Sequence, residues 1–142
     1  MSLESYQEHF STLVEAGFIA VNQSDEDSAV KLFKAAETLK PGHFLPQLGR
    51  GYLHLCKLEL KQACKIFTDV LQKEPNNEIA KAFLGLCMGL NPSEADQGTK
   101  ILQETDKATK YPILKDLTSS AIAFVEKFVK KSPTPAQGPQ KK

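Results

Sequence analysis

Apolar residues recur along the chain at intervals of three and four, the period of helices that press one face against a core. Leu3, Tyr6, Phe10, Leu13, Val14, Gly17, Phe18 and Val21 fall on one face of a long first helix. The polar run at 22–27, "NQSDED", interrupts it. Ser24, with Asp27 three residues on, is the expected N-cap of a second helix. That helix carries Ala29, Val30, Phe33, Ala36 and Leu39 and stops at Pro41. A third covers roughly Leu45 to Cys56, and a fourth about Leu60 to Lys73, where "EPNN" ends it at Pro75. Strand signals are missing, so the pattern predicts one all-α domain, and 142 residues suffice for a single core.

These helices return on a fixed period. Gly17, Gly51 and Gly85 are evenly spaced, and the same interval separates Ala29 from Ala63, Phe33 from Phe67, and Pro41 from Pro75. Four landmarks in one register resemble the tetratricopeptide repeat, a helix–turn–helix unit of about 34 residues with a small residue in its first helix, Ala and Phe in its second and a closing Pro. The resemblance implies a superhelix of about three units, at 10–43, 44–77 and 78–111, closed by a capping helix at 112–131. In the third unit Asn91-Pro92 opens the second helix, Gln97 and Ile101 stand at the Ala and Phe positions, and the closing proline is displaced to Pro112. Ile113, Leu114, Leu117, Ala121, Phe124, Val125 and Phe128 make the cap amphipathic, suited to cover the last unit's apolar edge. Residues 132–142, with three prolines and no apolar anchor, are expected to be a disordered tail.

Composition narrows the function. Eighteen Lys and Arg balance 17 Asp and Glu, which gives no bulk attraction to nucleic acid. No apolar run is long enough for a membrane span and the start lacks a secretory layout, so a cytoplasmic protein is expected. Cys56, Cys64 and Cys87 fall among helical apolar positions and are expected as buried or half-buried small hydrophobes. The "GRG" at 49–51 lacks the third glycine and the preceding strand of a dinucleotide site. Gly51 is instead expected to let the two helices of its unit approach closely. His9, His43 and His54 have no metal-ligand spacing, and no nucleophile motif is present. Cys56 with His54 is the best candidate for an undetected enzyme site, but a spacing of two sends them to different helix faces. A non-enzymatic binding module without cofactor or metal is the expectation.

In the repeat family, first helices line a concave groove that takes peptides. Carried onto this chain, the groove positions are Val14, Phe18 and Val21, then Leu45, Leu48, Tyr52 and Leu55, then Ile79, Phe83, Leu86 and Leu90. Gly49 and Gly89 are expected to leave room for a guest. The family's carboxylate-clamp subclass needs Lys, Asn and Arg where this chain has Val14, Phe18, Gly49, Ile79 and Phe83, so an acidic C-terminal tail is not the expected client. Three alternatives compete with a client groove: ordinary core, a closing helix folded into the groove, or a homodimer face.

A narrower resemblance lies in "FLPQLGRGYLHLCKLELKQACKIF", which is similar to the second repeat of bacterial type III secretion chaperones of the translocator class. "YPILKDLTSSAIAFVEKFVKK" resembles their closing helix, and "AKAFLGLCMGL" resembles the needle-subunit chaperones. Only nine residues precede Phe10, which favours the needle type over the translocator type. The implied client is an amphipathic or apolar segment of such a subunit, held passively in the groove without nucleotide or membrane insertion. Leu3, Tyr6 and Phe10 are the implied face for a second small helical partner. A general adaptor unrelated to secretion is the alternative.

Overall fold

The computed structural model describes residues 3–130, and for residues 3, 4 and 6 the backbone alone. Helices account for the described residues apart from short turns: α1 Leu3–Asn22, α2 Glu26–Leu39, α3 Phe44–Cys56, α4 Leu60–Lys73, α5 Glu78–Gly89, α6 Ala95–Ala108 and α7 Pro112–Phe124. A 3-10 turn at Pro92–Glu94 precedes α6, and a π-helical turn at Val125–Lys130 continues α7. The expected all-α class is what the molecule adopts. The expected tail, 132–142, lies outside the described residues. The chain divides between Ala80 and Lys81, inside α5, into two compact units.

In the first unit α1 with α2, and α3 with α4, form helical hairpins whose second helices bury three residues each. Ala29, Phe33 and Ala36 on α2 and Ala63, Phe67 and Val70 on α4 are all completely buried. The echo between the two hairpins is therefore one of packing as well as of sequence. Close approach comes from glycine. A Cβ on Gly17 would run into the ring of Phe33, and one on Gly51 would come within 2.5 Å of Phe67 Cε1. Gly51 thus has the packing role expected of it.

The turns carry the same period. Ser24 (φ 61°) and Leu58 (φ 60°) are the non-glycine residues with positive φ among those described. They stand 34 residues apart, just past the ends of α1 and α3, where chains often turn left-handed. At Leu58 the amide donates to the carbonyl of Leu55 (2.9 Å), and that of Glu59 to His54 (2.9 Å). Ser24 is consequently not the N-cap of α2. Asp25 takes that place, its Oδ1 accepting the amide of Ser28 at 3.1 Å, and hydrogen bonding to Ser28 holds the Asp25 carboxyl below the ordinary range.

The next position in the series is Pro92, whose ring locks φ at a negative value and forbids the left-handed turn. In its place the chain makes the 3-10 turn, capped by Asn91 Oδ1 accepting from the amide of Ser93 at 3.1 Å. The second unit bears the consequence, a slip of one residue. Gly98 and Leu102, not the expected Gln97 and Ile101, occupy the interior, and Leu102 is completely buried. A Cβ on Gly98 would lie 2.7 Å from the Gly85 carbonyl oxygen and from Gly89 Cα, so α5 and α6 cross backbone to backbone. Gln97 is exposed.

The closing helix packs by part of its expected face. Leu114, Thr118, Ala121 and Val125 are buried, whereas Ile113, Phe124 and Phe128 stay exposed. Thr118 fixes α7 to α6, its hydroxyl donating to Asp106 Oδ1 at 2.8 Å. Lys115 adds an ammonium bond to the Asp106 carbonyl at 2.7 Å.

Candidate protein-binding surface

The eleven expected groove residues do not share one environment. Val14, Val21, Leu48 and Leu55 are buried. Val14 packs with Phe10 and Ala36, and Val21 with Ala20, Ala29, Phe33 and Leu53. These four are core, the first of the competing alternatives, and a guest in this conformation has no access to them. Phe18, Leu45 and Tyr52 on the first unit are half-buried, and Ile79 is exposed. On α5 in the second unit, Phe83 and Leu86 are half-buried, as is Leu90 just past its end.

The glycines expected to leave room are filled from within. A Cβ on Gly49 would collide with the ring of Phe33, and one on Gly89 would stand 2.8 Å from Val125 Cγ2. Among the residues implied for a second partner, Phe10 is 2% exposed. Its ring lies 4.9 Å from that of His43, with the Lys40 ammonium 4.7 Å above it. Phe10 is a core residue because the helix period that aligns it with Leu3 and Tyr6 also aligns it with Val14. The side chains of Leu3 and Tyr6 lie outside the described residues.

What remains open in the first unit is an aromatic surface where α1 meets α3. Phe18 packs edge-on against the buried Phe33, with ring centres 5.4 Å apart. Its other side faces Tyr52 at 5.5 Å. The Tyr52 hydroxyl donates to Asn22 Oδ1 at 2.6 Å, which ties α3 to the last turn of α1. Burial, and then the neighbouring Cys56 thiol, push the Tyr52 hydroxyl above its ordinary pKa. The phenol therefore stays a neutral donor, fixed in direction. Leu45 at the start of α3 extends the apolar surface beside Leu13 and Leu39. Sequence periodicity could not separate Phe18 and Tyr52 from Val14 and Leu48, because all four lie on first helices at core-like spacing. Tyr52 carried one signal, a hydroxyl that needs a hydrogen-bond partner and so disfavours full burial, and Phe18 carried none.

A polar rim lies at one end of the hairpins. Lys57 Nζ is 2.8 Å from Glu26 Oε1 and 3.5 Å from Glu59 Oε1, and His54 Nδ1 is 2.8 Å from that same Glu59 oxygen. The bond to Glu26 raises the Lys57 pKa, and the His54 contact, followed by Lys57, lowers that of Glu59. Arg50 pairs with Glu37 at 3.1 Å. Exposed pairs of this kind add little stability and chiefly fix direction. With His54 engaged by Glu59 and Cys56 beside Tyr52, those two side chains are directed apart. Cys56 is exposed, neither buried nor half-buried as expected, whereas Cys64 is half-buried and Cys87 buried. Among the described residues, no cluster of three or more His, Cys, Asp or Glu could hold a metal ion, and no helix is long and apolar enough to cross a membrane.

No protein-family model matches the chain, and no curated protein is similar enough to serve as a relative.

Proposed function

We propose that the chain is a non-enzymatic protein-binding module. In this reading it sequesters an apolar or amphipathic helical segment of a small secreted subunit, as the type III secretion chaperones do that its repeats resemble. A needle subunit is the first candidate client and a translocator subunit the second. The observation that supports this reading is the Phe18–Tyr52 pair, two half-open rings held in place by Phe33 from below and by Asn22 at the hydroxyl. Amphipathic helices bind such surfaces through apolar anchors at intervals of three and four. Each client side chain seated on the rings contributes about 1.5–3 kcal/mol before ordering costs. Binding is passive in this reading, and release falls to other machinery.

The test is co-expression with candidate needle and translocator subunits, followed by size-exclusion chromatography with mass determination. Phe18→Ser and Tyr52→Ser chains are run beside the unaltered one after circular dichroism has shown each to be folded. A stoichiometric complex that both substitutions weaken supports the chaperone reading. A chain that ignores every subunit refutes it and leaves a repeat adaptor for some other protein.

A further inference from the structure

The largest exposed apolar side chains outside the first unit lie along the closing helix. Ile113 is 82% exposed, Tyr111 65%, Phe128 51% and Phe124 47%. From Ile113 the spacing runs to Phe124 by eleven positions and on to Phe128 by four, so these three keep to one side of the helix. This side is distinct from the buried line of Leu114, Thr118, Ala121 and Val125 that holds α7 to its own unit. Phe124 and Phe128 are packed together, with ring centres 5.0 Å apart, and form one wedge. A paired aromatic wedge facing solvent is the sort of patch that marks an interaction site.

Charge indicates the occupant. From Lys81 to Lys130 the charges are nearly even, seven lysines against six carboxylates, so what counts is which of them flank the stripe. Lys110 adjoins Tyr111 at one end of the stripe. At the other end the Lys127 ammonium stands 5.2 Å over the Phe128 ring. Lys115 and Lys130 do not contribute, since the first bonds the Asp106 carbonyl and the second Asp96 and Glu126. One carboxylate on α7, Asp116, lies between the basic ends. Size indicates the form. The stripe is about 20 Å long, at about 1.5 Å per helical residue, and one helix wide. Its exposed rings offer about 300 Å², taking about 200 Å² for each full aromatic side chain. A stable globular dimer buries about 800 Å² on each partner, so this stripe suits a single helix better than a second copy.

We infer that the outer side of α7 docks an amphipathic helix of another protein, with acidic residues flanking its apolar face. Its apolar residues cover Ile113, Phe124 and Phe128, and its carboxylates meet Lys110 and Lys127. This surface lies in the second unit and is independent of the Phe18–Tyr52 surface.

The experiment uses the full chain carrying Phe18→Ser with Tyr52→Ser, which takes away the first unit's surface, and two fluorescent helical peptides, each with leucines on one face and either glutamates or lysines on the other. Anisotropy titrations are run at low and at high salt. The glutamate peptide is expected to bind at least tenfold tighter than the lysine peptide, and to weaken severalfold at high salt. Lys110→Glu with Lys127→Glu, both exposed positions, is expected to invert that preference. In that background Ile113→Ser with Phe128→Ser is expected to abolish binding. Equal affinity for the two peptides, or binding that survives the Ile113/Phe128 change, overturns the inference. So does binding to anionic phosphatidylserine vesicles in place of the peptide. Self-association lost in the Ile113/Phe128 variant, without peptide binding, overturns it in favour of a second copy.

Discussion

Gly49→Ala tests whether the space over Gly49 belongs to the protein's own core or to a guest. The added methyl would fall within the ring of Phe33, with even the third-nearest ring atom, Cε2, only 2.8 Å away. Phe33 is completely buried and is hemmed in by Gly17 and Phe18 as well. The ring therefore cannot swing aside. Overpacking of this kind costs about 1–3 kcal/mol, and replacing a helical glycine by alanine returns about 1 kcal/mol. With three ring atoms in the way the cost should lie near its upper limit, a net loss of about 1–2 kcal/mol. Phe33→Leu alone should cost about 2 kcal/mol, by analogy with other core truncations. The discriminating chain carries both changes. A leucine at 33 vacates the region that the new methyl enters, so the pair should be less destabilised than the sum by about 1 kcal/mol, as expected for residues in contact. Urea unfolding followed by far-ultraviolet circular dichroism gives all four stabilities. Losses that add to within about 0.5 kcal/mol would refute the socket described for Phe33 and Gly49.

Other expectations are read by the same assay. Ser24→Gly should stabilise the chain by about 1 kcal/mol, because glycine adopts the left-handed conformation without the cost of a Cβ; Leu58→Gly should gain less, since it also removes a side chain that is 69% exposed but not wholly free of contacts. Tyr52→Phe should lose about 0.5–1.5 kcal/mol with the bond to Asn22. His43 caps α3 with Nδ1 accepting the Leu45 amide at 3.1 Å, and burial, followed by Lys40, lowers its pKa below the ordinary 6.5 despite an opposing pull from Glu74. The unfolded chain therefore takes up the proton first as pH falls. This contribution is complete above the ordinary histidine pKa of about 6.5 and declines from there down to the lowered folded value. His43→Asn keeps a capping side chain and should flatten that part of the stability–pH curve; an unchanged slope would contradict the role given to the ring.

Helix positions were legible because capping and proline signals act locally. The limits of α4 agree with the expectation to the residue, and Gly17, Gly51, Phe33 and Phe67 occupy the packing places that their period implies. The third unit departs from expectation for one physical reason: proline at 92 cannot make the turn made by Ser24 and Leu58, and the interior positions of α6 slip by one residue. The binding residues were harder to find. Val14 and Phe18, or Leu48 and Tyr52, differ by a single helical turn, and periodicity assigns both members of each pair to one face. Whether a residue ends inside or at the edge depends on which neighbour fills the space first. At Gly49 it was Phe33, from the helix before. The exposed side of α7 was hidden in the same manner, since Ile113, Phe124 and Phe128 follow the same helical spacing as the residues beneath them.

The Phe33–Gly49 socket has a consequence for lengthening the chain. Phe67 repeats Phe33, but the place one period beyond Gly49 is held by Phe83, so the sequence supplies the plug a second time without its hole. Duplicating residues 44–77 in tandem would put a copy of Gly49 at that place and recreate the missing half. A chain enlarged by this cassette should unfold with a steeper denaturant dependence and at no lower midpoint, whereas a cassette bearing Phe in place of that glycine should not. In engineering terms the molecule holds one reusable connector, formed by Phe33 and Gly49.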